Sequence, residues 1–177
     1  LPDIFGIYLP NTLLIADQFA SKSGFTTYIP DILFNDQIAL EDLNSGNVDF
    51  TKWLGDHSNE ITRAIAEKAL KSIKAENPDK KICVLGYCFG AKYAVQQGAK
   101  DGIIISCAEV DGQFPADKRA ETQAKLQEIK ATYQIDIFSG VSHGFAARGD
   151  PKDENVKYAK EKVFFDQSYF FDYHVKK

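Results

Sequence analysis

No run of the 177 residues is apolar for long enough to span a bilayer as a helix. No block of lysine and arginine stands out either, and the net charge is −4. The first absence argues against a membrane segment. The second removes the electrostatic footprint of a nucleic-acid binder. Cysteine is scarce: Cys83, Cys88 and Cys107 are an odd set with no framework spacing. That excludes a disulfide scaffold and points to a reducing compartment, so the cytoplasm is the expected location. Tryptophan occurs once, at Trp53, and arginine only at Arg63, Arg119 and Arg148. Methionine is missing, and the chain opens on Leu1-Pro2-Asp3 in the manner of a strand end. The fold is therefore expected to begin upstream of Leu1, and a targeting peptide ahead of it stays open. Repeats and low-complexity segments are absent, and neither a metal nor a cofactor is expected.

What remains is ordinary globular material, 44% apolar and 26% charged. It is long enough to bury a core as one domain over residues 1–177. The pattern predicts a helix over Thr12–Ser21 with Asn11 as its cap, then a strand over Phe25–Ile29 stopped by Pro30-Asp31. Residues 35–49 read as a loop. Ser58 opens a helix running to about Ala75, and His57 before it reads as a solvated loop residue. Ile103–Cys107 and Thr132–Phe138 are the next strands, with a charged helix over Ala116–Lys130 between them. A final aromatic-faced helix covers Val156–Tyr173. Helix and strand alternate, which predicts an α/β fold with a mostly parallel sheet and helices on both faces.

The most informative stretch is Lys81–Val95. Ile82–Leu85 reads as a buried strand, Ala91–Gln97 as a helix, and Gly86-Tyr87-Cys88-Phe89-Gly90 joins them. Strand, Gly-x-Cys-x-Gly, helix is the nucleophile-elbow pattern with cysteine in place of serine. Small residues at both flanks let strand and helix approach, and the middle side chain points outward at a helix N-terminus, where the dipole favours thiolate. A tight turn holding a buried cysteine is the plain alternative.

Ligands of open α/β sheets sit beyond the carboxyl ends of the strands. Cys88, Asp111 and His143 all fall there, in the order nucleophile, acid, histidine. A thiolate attacks, a histidine accepts its proton, and a carboxylate orients the imidazole. Two other aspartates compete for the acid role. Asp117 reads as an end-capping charge on a helix, and Asp136 alternates with Ile135 and Ile137 and so faces water. Cys83 and Cys107 lie in apolar strands and read as buried, inert thiols.

Gly86-Tyr87-Cys88-Phe89-Gly90, the Glu109-Val110-Asp111 loop and His143-Gly144-Phe145-Ala146-Ala147-Arg148 together resemble the dienelactone hydrolase family, fungal members above all. Asp3-Ile4-Phe5-Gly6 and Ile29-Pro30-Asp31 match its pattern too, so the resemblance runs along almost the whole chain. It implies an α/β-hydrolase fold and a Cys-Asp-His triad at Cys88, Asp111 and His143. It also implies an oxyanion hole from the backbone N–H groups of Ile4 and Phe89. Trp53, Tyr87, Phe145 and Arg148 are the side chains expected to bind or modulate substrate, with packing under a loop the commoner role for a lone Trp53 and a surface pair with Asp150 the alternative for Arg148. Asp3 takes the place of a family glutamate near the nucleophile. There it either disfavours the Cys88 thiolate or caps local N–H groups.

The match has gaps. The family carries an N-terminal strand pair that this chain lacks. Cys88 and Asp111 are 23 residues apart (88 to 111), short of the family spacing, whereas Asp111 and His143 at 32 (111 to 143) match it. A strand and helix are thus expected to be missing, with a discontinuity between Gln97 and Lys100. Family members that open dienelactone hold its carboxylate with two arginines. Arg148 resembles one, and no arginine precedes Trp53 to act as the other.

The expected activity is hydrolysis of a small ester or lactone by a monomer or weak dimer, with neither nucleic acid nor membrane as a partner. Two alternatives stand beside it. One is a glutamine-amidase-like cysteine enzyme, which would pair its histidine with a glutamate in the same loop. The other is a non-catalytic or redox-sensing scaffold.

Overall fold

The computed structural model describes residues 1–98 and 102–175. The chain divides into two compact units, Leu1–Gln97 and Gly98–Lys177. The discontinuity expected near Gln97–Lys100 falls largely on residues 99–101, outside the described residues.

The first unit is helical. Helix α1 spans Pro10–Ser23 and is stopped by Gly24 at φ 70°. Leu9 rather than Asn11 is its cap, because Pro10 takes the first helical position, where an N–H would be unsatisfied anyway. Residues 35–49 are not all loop: α2 spans Leu40–Ser45 and ends at Gly46, φ 71°. Helix α3, Phe50–Asp56, begins at Asp49, whose carboxylate accepts the Lys52 N–H. Helix α4 runs Asn59–Glu76 with Ser58 capping the Ile61 N–H, close to expectation. Helix α5 spans Phe89–Gly98 and starts two residues before the expected Ala91. The core gathers Phe5, Ile32, Leu33, Ile38, Trp53, Ala66 and Tyr93.

The expected strands 25–29 and 82–85 form no ladder among the described residues, and 82–85 is half-buried rather than buried. An apolar, β-branched run favours an extended backbone, but a strand exists only where a neighbour takes up its N–H and C=O groups. Here the segment leading to the elbow is tied to the start of the chain instead. Leu1 N donates to Leu85 O and Tyr87 N–H donates to Leu1 O (3.2 Å).

The second unit is a parallel strand–helix–strand unit flanked by helices. Strand β1, Ile103–Val110, pairs with β2, Tyr133–Ser142, through α6, Ala116–Glu128. Both strands outrun their expected ends at Cys107 and Phe138. Helix α7, Phe145–Arg148, and helix α8, Glu154–Val175, follow. Ala108, Val141, Phe145, Ala159 and Val163 form the core. Asp136 does not simply face water: it is half-buried and accepts the Gln134 amide N–H (2.8 Å), while Ile137 is 59% exposed. Strict alternation presumes one covered face, and a two-stranded sheet does not cover Ile137 within this unit.

Candidate functional site

The elbow is built by steric necessity. A Cβ placed on Gly86 would sit 2.4 Å from Gly90 O, and one on Gly90 would sit 2.4 Å from both Leu1 O and Pro2 O. Between them Cys88 has φ 49°, the left-handed region that costs a residue with a side chain free energy. Gly90 N–H donates to Tyr87 O and Ala91 N–H to Cys88 O, which closes the turn into α5. Cys88 is half-buried, and so is Cys83, which corrects the expectation that Cys83 is a buried thiol. Cys107 is buried, and desolvation pushes its thiol up to about 11. Burial also raises the Tyr87 hydroxyl.

The loop of residues 3–6 is a turn closed by Gly6 N–H donating to Asp3 O. Asp3 is fully buried, and its Oδ1 accepts the Phe5 N–H at 3.1 Å. Of the two expectations for Asp3, the local cap is thus directly observed. Ile4 O accepts the Ile38 N–H. Among the described residues the N–H groups of Ile4 and Phe89 have no acceptor; Phe89 is the first residue of α5, where no intrahelical partner exists.

Trp53 is a core residue whose indole N–H donates to Asp36 O (2.8 Å). It packs edge-on against Phe89 (5.3 Å) and stacks on His57 (4.2 Å). His57 is not solvated as expected: it is 7% exposed, with Nδ1 2.8 Å from Trp53 O. Its position one residue before a helix cap hid this, because the ring folds back onto α3. One edge of Trp53 also borders a depression of about 230 Å³ walled by Asp36, Asp42, Asp49 and Asp56, with Lys52 paired to Asp56. Cys88 is not in its lining.

In the second unit, His143 Nδ1 lies 2.9 Å from both Asp111 oxygens. A carboxylate can only accept, so Nδ1 carries the proton and Nε2 is the basic nitrogen of the neutral ring. The carboxylate comes from the end of β1, not from the histidine's own loop, unlike the amidase arrangement. Asp111 Oδ1 also accepts the N–H groups of Gln113 (2.8 Å) and Phe114 (3.0 Å). Burial pushes the Asp111 carboxyl up, but these hydrogen bonds, from His143 above all, outweigh it and hold the group below the usual carboxylate range. Arg119 braces the loop by donating to Ala108 O and Phe114 O. No motif pointed to Arg119; only the turn geometry reveals it. Asp117 lies in the first turn of α6, as expected of an end charge.

After His143 the chain turns at Gly144, φ 83°, into α7. The Arg148 guanidinium folds back over Gly144, so closely that a Cβ there would lie 2.5 Å from Nη2. Arg148 therefore borders the histidine loop. Phe145, expected at the substrate, is instead a core side chain, 5% exposed and packed on Phe138. An aromatic residue following His-Gly serves either role; burial by α8 decides for the core. Among the described residues no group of three or more His, Cys, Asp or Glu side chains is arranged to hold a metal ion. No helix there is long and apolar enough to cross a membrane.

The sequence model of the dienelactone hydrolase family matches residues 1–104 and 96–175. The chain is 33% identical to "hydrolase tropI" of Talaromyces stipitatus, over 99% of this chain and 80% of that protein. It is 32% identical to "dienlactone hydrolase 2" of Gibberella moniliformis (99% and 77%) and 30% identical to the human carboxymethylenebutenolidase homolog (84% and 69%). The solved structure of a dienelactone hydrolase-like promiscuous phosphotriesterase from metagenomic libraries superimposes with a TM-score of 0.74. It is 16% identical and covers 98% of this chain and 84% of that one. That likeness shows the α/β-hydrolase fold.

Proposed function

The chain belongs to the dienelactone hydrolase family and is a hydrolase; on that basis we propose that it cleaves small carboxylic esters or lactones through a cysteine nucleophile. Cys88 Sγ attacks the carbonyl carbon while His143 takes the thiol proton. His143 returns the proton to the departing alkoxide as the tetrahedral intermediate collapses to a thioester. Water then attacks the thioester, His143 accepts its proton, and the acid leaves as His143 passes that proton to the departing Cys88 thiolate. Asp111 holds His143 in the tautomer the cycle needs and stabilises its charged form. The N–H groups of Ile4 and Phe89 receive the negative oxygen of both intermediates. A thiol nucleophile suits the reducing conditions of the cytoplasm.

One observation carries this reading: Cys88 sits at φ 49° between two glycines that admit no Cβ. A chain accepts such backbone strain at a cysteine where the side chain's direction has a use. The test is a panel of activated aryl esters and five- and six-membered lactones with the full chain. Saturable hydrolysis is expected. No turnover of any ester or lactone would reject the reading.

Arg148 sets a preference for anionic substrates. A guanidinium stays ionised and matches a carboxylate's geometry, and here it lies beside the residue that follows His143. Arg148→Ala is expected to raise KM for esters carrying a free carboxylate by roughly tenfold or more, the loss of one charge-assisted contact. Neutral analogues should change little. An equal change on both would remove Arg148 from substrate binding.

A further inference from the structure

Strands β1 and β2 run in step from Ile103↔Tyr133 to Ala108↔Phe138, and then the register jumps, so that Val110 pairs with Ser142. Over that interval β1 advances two residues (108 to 110) and β2 four (138 to 142). The excess is taken up around Gly140, which has φ 73°. In unbroken register Val110 would face Gly140, and His143 would lie two residues, about 6–7 Å, beyond its present place along β1. The jump is what brings His143 N–H to Val110 O (3.1 Å) and its ring to Asp111 (2.9 Å).

One side chain spans the excess. Glu109 is the β1 residue that the register skips. Its Oε2 accepts both the Gly140 N–H (2.8 Å) and the Ser139 hydroxyl (3.0 Å). The Gly140 backbone bond, with the Ser139 bond behind it, holds the Glu109 carboxyl below its ordinary range. An irregular strand segment leaves backbone donors without ladder partners, and bulges commonly re-aim a side chain next to an active site. Glu109 supplies the acceptor that an unbroken ladder would have supplied.

We propose that Glu109 is a positioning residue: its carboxylate clasps the β2 bulge at Ser139 and Gly140 and so sets His143 against Asp111. The kinetic part of the test rests on the proposed ester hydrolysis; the titration part does not. In the full chain, the Asp111 side-chain carboxyl is titrated by 13C NMR in wild type, Glu109→Ala and Glu109→Gln. Loss of the clasp loosens the His143 hydrogen bond, so the Asp111 midpoint should rise in Glu109→Ala. Removing a nearby negative charge would by itself lower it, so the two causes have opposite signs. Glu109→Gln removes the same charge but keeps an oxygen for both donors, and its midpoint should lie at or below wild type. No rise in Glu109→Ala, or an equal rise in both variants, overturns the proposal. Should Glu109→Ala fail to fold, Ser139→Ala, which removes one donor, must raise the midpoint to a smaller degree, and an unchanged midpoint there overturns it as well. On an ester substrate, kcat is expected to fall about tenfold or more in Glu109→Ala at unchanged KM and to recover in Glu109→Gln. That loss is part of the roughly 10²–10⁴-fold that a positioned base contributes. A fall in KM and kcat alike in both variants counts against the clasp. If wild type turns over no ester, the functional reading fails while the titration still decides on Glu109.

Discussion

Cys88→Ala is expected to lower kcat for ester hydrolysis by on the order of 10⁴ or more, with the fold unchanged. Loss of a nucleophile removes the covalent route entirely, and only binding and oxyanion stabilisation then remain. Alanine keeps the Cβ that the turn already accommodates at φ 49°, so the elbow itself should persist. The controls are the other two thiols. Cys83 lies in the segment leading to the elbow, half-buried, and Cys83→Ala should retain near-wild-type turnover. Cys107 is buried in β1, and desolvation raises its thiol to about 11. At neutral pH it offers almost no thiolate, the reactive form, so iodoacetamide should inactivate the enzyme without labelling it. The measurement is steady-state turnover of an activated aryl ester beside mass-spectrometric mapping of the alkylated cysteine. Full activity in Cys88→Ala, or equal losses in Cys83→Ala and Cys88→Ala, would contradict the assignment.

Gly90→Ala is the substitution expected to harm folding most. The new Cβ would meet Leu1 O and Pro2 O at 2.4 Å, and both are backbone atoms that no rotamer change can move aside. Relieving that contact shifts either the start of the chain or the first turn of α5. Overpacking of this kind costs about 1–3 kcal/mol, against a total stability of roughly 5–15 kcal/mol for an ordinary domain. For a chain of this size that corresponds to a Tm lower by about 2–12 °C. Gly55 supplies the opposite control. It lies within α3 with nothing within 4 Å of an added Cβ. Gly55→Ala should leave Tm unchanged or raise it, because alanine favours a helix by up to about 1 kcal/mol. Thermal unfolding followed by circular dichroism separates the two. Equal Tm values for Gly90→Ala and wild type would show that the elbow does not need its second glycine.

Phe145 and His57 mark the limit of local reasoning. Both sit beside residues with strong signals, His143-Gly144 and the Ser58 cap. Each is buried by an element distant in sequence or by a ring folding back on its own helix. Hydrophobicity alone does not say which aromatic residue meets substrate and which meets the core, since a pocket wall and a core use the same side chains. The strands expected over 25–29 and 82–85 fail for a related reason. Periodicity reports the backbone a segment favours, whereas a ladder needs a second strand.

What the sequence determined by itself is local and chemical. The spacing Gly86-Tyr87-Cys88-Phe89-Gly90 dictates the elbow, because only glycine on both sides allows the close approach seen at Gly86 and Gly90. Ser58 dictates the start of α4 and Gly24 the end of α1. The strand-end loop position of Asp111 already favoured it over Asp117 and Asp136 as the histidine's partner, and His143 Nδ1 lies 2.9 Å from it. Tertiary structure decided what depends on register and burial. The two-residue jump between β1 and β2, which carries His143 to Asp111, has no signature in composition or period. Nor does the sequence show what Glu109 does: it reads as one residue of the Glu109-Val110-Asp111 loop until its two hydrogen bonds to the other strand are seen. Strand pairing joins residues about thirty positions apart, and only the folded chain brings such residues within hydrogen-bonding distance.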